Sequence, residues 1–364
     1  MPYHKVGGHC YNSKHRHLVD FVDRFALPQA DFHTLDRVAR IDFCGAMVGY
    51  PIELSLRDVA RTDPDLAARA LVELLAASHG PAPTLDRWFA HHFGPTLAEA
   101  YFRPYNDKIW ARPCTELSPS WVAGKLPFPD KLAIARSLFD GATDEMPHRR
   151  FYYPRVGTPQ ALHDGMASGV QVRYGVRVER LQRDGGRWRF DGGPERHDRV
   201  ISTVPLPLLP GLLPGGEAVA SSAARLVWNR VSTMSWEAAA IVPATWTYVP
   251  RAGSITHRHI HIGSFLRPAR PYTITEAIGA VPAEAIISDA RQFPYLVRPV
   301  AHHESEHAYV VFDHACHAAR EAVLGFARSL GVASIGRFGE WDYHNMDGCI
   351  ASAIAAVDAI VPAV

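Results

Sequence analysis

The chain has 364 residues, with 38 lysines and arginines against 37 aspartates and glutamates, a formal net charge of +1. Such a length holds two or three domains with a substantial core. So even a charge balance excludes an electrostatic case for nucleic acid or a membrane surface as partner.

Five scattered cysteines, Cys10, Cys44, Cys114, Cys316 and Cys349, form no C-x-x-C and point to reduced thiols in a cytoplasmic protein. The opening Met1 to Arg16 is polar and rich in histidine, unlike a secretory leader. Of the most apolar stretches, Val200 to Leu213 is broken by Pro205, Pro207 and Pro210, and Ile350 to Val364 by Asp358. No membrane span is therefore expected.

The first feature along the chain is Val6-Gly7-Gly8-His9. Its paired glycines permit close backbone approach, and His9 reads either as a hydrogen-bonding loop residue or as a group beside a ligand. From Leu56 to about Leu138 apolar residues such as Val59, Leu66, Ala70 and Leu74, then Leu85, Phe89, Phe93 and Leu97, recur at helical spacing. Pro64, Pro81, Pro83, Pro95 and Pro104 are expected to divide them into separate helices. Trp110 with Lys108 reads as a helix end packed on a neighbouring domain or as a plain core anchor. Arg155, in a Pro-Arg-x-Gly turn, faces either a ligand or solvent.

Short strands are expected from Val170 to Pro205. Val176 and Val178 alternate with polar neighbours, Asp184-Gly185-Gly186 signals a turn, and Trp188 with Phe190 starts a return strand. Arg199 to Val204 is near-continuously apolar, which fits a buried parallel strand. Strands alternate with loops from Val227 to about Phe312. There His257, His259 and His261 would share one strand face, with His302, His303 and His307, or His314, Cys316 and His317, as further metal ligands. Alternate residues on a strand stand about 7 Å apart, and no H-E-x-x-H or carboxylate cluster accompanies them. The histidines are therefore read as structural or polar, with no metal. No Ser/His/Asp or Cys/His spacing argues for nucleophilic catalysis.

Two helices close the chain, Ala315 to Leu330 and Met346 to the end, with Ile350, Ile354, Val357 and Val361 at helical spacing. Between them lies GRFGEWDYHNMD, Gly336 to Asp347. Gly336 and Gly339 permit a tight turn, Asn345 is a good N-cap, and Met346 and Asp347 open the last helix. A helix start of this kind directs N–H groups and a positive dipole end at an anion, and Arg337 adds a forked cation. An ordinary capped helix after a glycine turn is the alternative.

Several segments occur in one order along nearly the whole chain: Val6 to His9 with Tyr11 and Ser13, Tyr50-Pro51-Ile52, Phe93-Gly94, and Phe102 to Tyr105 with Lys108 to Trp110. Tyr153 to Gly157, Val200 to Pro205 and Gly336 to Asp347 follow. Together they resemble the UDP-galactopyranose mutases and their protoporphyrinogen-oxidase-like and amine-oxidase-like flavoprotein relatives. The resemblance implies an α/β fold with an incomplete, discontinuous FAD-binding Rossmann-like domain from residues 1–54, 151–205 and 315–364. A helical insert would occupy 55–150 and a β-rich substrate domain 206–314.

It also implies FAD held by Gly7, Gly8, His9, Gly336, Arg337, Asn345, Met346 and Asp347. Arg155 and Tyr343 would be on the substrate side, and Arg258 and its neighbours would line the cleft. The implied activity is mutase-like, with reduced flavin carrying a nucleotide-linked sugar while its ring contracts. Oxidase-type hydride transfer and a degenerate, non-catalytic homologue are the alternatives. The partner is then a small-molecule substrate, a nucleotide sugar in the mutase case.

One departure stands out. A dinucleotide-binding domain opens with a strand, a G-x-G-x-x-G turn and a helix, and this chain contains no such motif. The chain is therefore expected to begin inside the domain, short of a βαβ unit of roughly 30 residues. An incomplete sequence is the preferred explanation, since deleting a central parallel strand exposes unpaired backbone. A unit supplied by another chain and a true loss of the adenosine half-site remain as alternatives.

Overall fold

The computed structural model describes residues 4, 7–122, 126, 130–140 and 149–360, so Val6 and Val361 lie outside the described residues. The fold is mixed α/β, and the chain forms two compact units. The first comprises residues 1–12, 29–161 and 229–308, the second residues 13–28, 162–228 and 309–364.

The first unit is built on a seven-stranded sheet. Its order is Leu296–Val310, Trp228–Ala238, Tyr272–Ile278, Thr256–Ile260, Trp246–Tyr248, Ala39–Phe43, Ala46–Gly49. Strand Ala39–Phe43 runs parallel to Trp246–Tyr248, whereas Tyr272–Ile278 is antiparallel to both its neighbours. Residues 39–49, inside the segment expected with the nucleotide domain, are thus hydrogen-bonded into one sheet with residues 228–310.

The central strands are rich in Thr, Ile, Val and Trp and are buried on both faces, so they show little alternation. Part of the sheet packs on helix Ala283–Ala290 through Met234, Trp236, Val249, Ala277, Ile286 and Phe293. A two-stranded pair, Phe32–Asp36 with Arg150–Pro154, lies in the same unit.

The helical stretch forms as Leu56–Val59, Pro64–Ala76, Leu85–Leu97, Arg103–Trp110 and Lys131–Asp140. Its prolines act differently from simple breakers. Pro64 begins a helix behind Asp63, whose side chain accepts the Leu66 N–H, and Pro104 sits in another first turn. A missing N–H costs nothing there. Pro81 and Pro83 lie in the non-helical link between Pro64–Ala76 and Leu85–Leu97, and Pro95 marks a further break, beside Gly94, whose backbone leaves the helix inside Leu85–Leu97. Trp110 is a core anchor, buried against Trp121 with its indole N–H on Asn106. Lys108 instead reaches the carbonyls of Val249 and Arg251, fastening its helix to the 249–256 turn.

In the second unit the Gly185–Gly186 turn joins Leu181–Asp184 to Arg187–Phe190, as the sequence indicated. Val200–Ser202 is parallel, paired with Val332–Ser334, yet it is not buried on both faces, for Ile201 is 42% exposed. Val176 and Val178 form no strand, because the chain turns at Tyr174–Gly175 and Gly175 takes φ +72. Alternation requires continuous extended backbone, and the turn removes it. Both closing helices form, Cys316–Ser329 and Met346–Ile360. In the last one Ile350 is buried and Val357 exposed.

Candidate functional site

The expected site residues fall in both compact units, and each group is described by itself. In the first unit Gly7 and Gly8 lie against the large sheet. Gly7 has φ +91, and a Cβ there would stand 2.0 Å from Glu276 Oε1. A Cβ on Gly8 would stand 2.4 Å from Ile260 Cγ2. The close approach these glycines permit is therefore made to the protein's own sheet. His9 is exposed, with Nδ1 donating to the Gly7 carbonyl at 3.1 Å and its backbone N–H on His4 Nδ1.

Glu276 is the charge beneath this loop. It is buried in strand Tyr272–Ile278, and Arg258 Nε donates to its Oε2 at 2.7 Å. His257 Nε2 lies 3.5 Å from the same oxygen. Burial opposes ionisation, but the Arg258 and His257 contacts outweigh it and hold the Glu276 carboxyl down at about 2. His257 itself is pushed below the usual imidazole range by burial, against the pull of Glu276.

Around Arg37 stands an aromatic enclosure. Its guanidinium lies 5.1 Å from the Trp246 ring centre and 5.6 Å from that of Tyr50, and it donates to the Tyr248 hydroxyl. Arg37 and Arg258 both act electrostatically on Cys10, yet burial dominates and pushes that thiol up to about 12. Cys10 is therefore a neutral thiol rather than a nucleophile. Arg155 is exposed, with Nε donating to the Ala30 carbonyl at 2.8 Å and Nη1 3.3 Å from His33 Nδ1.

The three alternating histidines are buried but do separate work. His259 lies between the Thr256 hydroxyl and Tyr295, His261 between Thr247 and Thr273, and His257 beside Glu276. Among the described residues no group of three His, Cys, Asp or Glu side chains is placed to hold a metal ion.

In the second unit the Gly336–Asp347 segment forms a short helical turn, Gly336–Gly339, followed by helix Met346–Ile360. Asn345 occupies the N-cap position, its carbonyl accepting the Cys349 N–H at 3.0 Å. Several N–H groups in and just after the segment are met internally, those of Glu340, Asp342 and Tyr343 by the Gly336 and Arg337 carbonyls and the Asp342 carboxylate. The Gly336 N–H has Glu340 Oε2 at 3.1 Å and Ser352 Oγ at 3.2 Å, and the Gly348 N–H donates to Asp347 Oδ1. His344 lies 3.0 Å from Glu340 Oε2; burial opposes the Glu340 charge, but the His344, Ser352 and Gly336 contacts keep its pKa below the usual range.

Arg337 is held by rings as well as by a hydrogen bond. Its guanidinium carbon lies 4.4 Å from the Tyr343 ring centre and 5.8 Å from that of Tyr309, with Nη1 on the His344 carbonyl. Tyr309 and Tyr343 are near-parallel, 15° apart. Gly336 has φ +79 with nothing within 4 Å of where a Cβ would stand. A planar cation beside aromatic faces and open space suits an anionic, partly aromatic group such as a flavin dinucleotide. Neighbouring Trp341 is fully buried at φ +55, and its indole N–H has no hydrogen-bond partner.

Glu276 and Arg37 were not singled out from sequence. A carboxylate within the apolar run Thr273-Ile274-Thr275-Glu276-Ala277-Ile278 was the available signal, since buried Glu is rare unless paired. Nothing local marks Arg37.

A family model described as flavin containing amine oxidoreductase matches residues 6–233. Among solved structures, a reduced UDP-galactopyranose mutase is similar at TM-score 0.83 and 22% identity, over 97% of this chain and 82% of that one. A candidate protoporphyrinogen oxidase from Exiguobacterium sp. 255-15 is similar at TM-score 0.68 and 18% identity, over 97% and 86%. A redesigned putrescine oxidase gives 0.55 and 13%, over 98% and 87%. At these identities the structures share the fold. No helix among the described residues is long and apolar enough to cross a membrane.

Proposed function

The chain belongs to the flavin containing amine oxidoreductase family, and on that premise we propose a flavin-dependent enzyme of mutase type acting on a nucleotide-linked sugar. Arg337 carries the reading. A permanently charged, planar guanidinium set against the Tyr343 and Tyr309 faces suits a diphosphate flanked by flat or ring-shaped groups, which both FAD and a nucleotide sugar contain.

Gly336, Arg337, Asn345, Met346 and Asp347 of the second unit are assigned to FAD, and Tyr343 beside them to the substrate; in the first unit Gly7 and Gly8 approach their own sheet, His9 bonds the Gly7 carbonyl and Arg155 the Ala30 carbonyl. Bound FAD supplies the electron pair or hydride acceptor that no side chain can provide. Arg337 neutralises and orients the diphosphate, and the Tyr343 face limits its movement. The mutase and the oxidases share this fold, so turnover of substrate decides between them.

The test begins with an absorbance spectrum before and after FAD addition, read again after desalting. Retained flavin bands followed by interconversion of UDP-galactopyranose under dithionite support the mutase reading. Retained bands with oxygen uptake on amines, and no sugar turnover, replace it with the oxidoreductase reading. A protein that retains no flavin refutes flavin binding by this chain by itself.

A further inference from the structure

We propose that Glu340 is the positioning residue of the Gly336–Asp347 segment, the side chain that sets the Arg337 guanidinium on the Tyr343 ring. The consequence for binding rests on the assignment of Arg337 to a diphosphate; the positioning itself does not. An arginine side chain turns about several bonds, so a stack on one particular ring requires the backbone at both partners to be fixed.

Arg337 and Tyr343 face each other across the segment, with 4.4 Å from the guanidinium carbon to the ring centre. Gly336 immediately precedes the arginine, and His344 immediately follows the tyrosine. Glu340 grips both of these flanking residues with one oxygen. Its Oε2 accepts the Gly336 N–H at 3.1 Å and lies 3.0 Å from His344 Nε2. With its pKa held below the usual range the carboxyl is ionised and can only accept, so that ring nitrogen carries a proton. The His344 carbonyl in turn accepts Arg337 Nη1 at 3.0 Å. The carboxylate is thus tied to Arg337 through Gly336 on one side and through His344 on the other.

Between the two partners the chain does not relax into a regular element. Trp341 is held at φ +55 with its indole N–H unpartnered. Left-handed backbone at a bulky residue persists only where its surroundings over-determine it. Main-chain bonds supply part of the hold, from the Glu340 N–H to the Gly336 carbonyl and from the Asp342 N–H to that of Arg337. Arg320, in helix Cys316–Ser329, donates to the Glu340 carbonyl at 2.5 Å, and Ser352 Oγ shares the Gly336 N–H at 3.2 Å. The Glu340 carboxylate carries the hold past Trp341 to His344, and so across the strained residue.

The test variant is Glu340→Leu, which keeps the bulk and removes both contacts. NMR of the arginine side-chain N–H groups in the full chain reads the stack without any ligand, because the Tyr343 ring current moves the Arg337 signal upfield. Arg337→Lys and Tyr343→Leu identify that signal, and Glu340→Leu should lose most of its displacement. Titration with FAD adds a double-mutant cycle. Glu340→Leu should weaken FAD binding about ten-fold, yet cost no more than about two-fold in an Arg337→Met background, because a residue acting through Arg337 loses its effect with it. A merely structural role would cost the same in both backgrounds. Circular dichroism and thermal melting confirm that each variant is folded, and Glu340→Ala replaces Glu340→Leu if that variant is not. An unmoved Arg337 signal, or losses of FAD affinity that add, would overturn the proposal. Failure of the unsubstituted chain to bind FAD refutes the diphosphate assignment instead, and the Arg337 signal then decides the positioning alone.

Discussion

Replacing Glu276 by Gln tests the role of the buried charge beneath the Gly7 loop. The folded protein holds this carboxyl at about 2 against an ordinary 4.5. At about 1.4 kcal/mol per unit, the difference contributes ~3 kcal/mol at neutral pH. Glu276 is 2% exposed, so solvent screens little of it. Removing one partner of a buried pair costs about 3–5 kcal/mol, in agreement with that figure. A depressed carboxylate stabilises above its unfolded pKa, and its contribution disappears as pH falls from about 4.5 towards 2. Urea unfolding at pH 7, 4.5 and 3, read by tryptophan fluorescence, should show Glu276→Gln about 3 kcal/mol less stable at pH 7, with the gap closing in acid. Adding Arg258→Met should recover most of the loss, because no uncompensated charge then remains. A gap below ~1 kcal/mol at pH 7, or one unchanged at pH 3, would show that Glu276 does not carry this stability.

Two glycines separate conformational strain from steric overlap. Gly336→Ala meets nothing at its Cβ position and should cost only ~1 kcal/mol for its positive φ, as read by urea midpoints. Gly7→Ala adds overlap with the paired Glu276 carboxylate and should cost at least twice as much. His261 is brought to about 4 by burial, so between pH 6.5 and 4 the unfolded chain takes up a proton that the folded chain refuses. Stability should therefore fall by up to ~3 kcal/mol as pH drops through that window, and His261→Gln should flatten the profile. Arg337→Lys keeps the charge but loses the planar stack on Tyr343; flavin retention, measured by absorbance after desalting, should weaken about ten-fold with little change in melting temperature.

What the sequence determined by itself was local. Gly185–Gly186 turned the hairpin, Asp63 and Pro64 began a helix, and Asn345 stood at the start of the last one. Each depends on the backbone and side-chain chemistry of a few consecutive residues. The family motifs were legible for the same reason, since the Gly336–Asp347 segment is contiguous. Tertiary structure decided the rest. Gly7 faces Glu276, Arg37 faces Tyr248, and Asp289 bonds Ser254 and Thr256, all pairings between segments far apart in the chain. Periodicity suggested a strand at Val176 and Val178, but the turn at Gly175 prevailed. The three histidines looked like one set but went separate ways, His259 and His261 into hydrogen bonds and His257 beside the Glu276 carboxylate, because each met whatever strand or loop packed beside it. Burial and partner are properties of the packed molecule, and the identity of a residue states its capacity to bond without stating what it will meet.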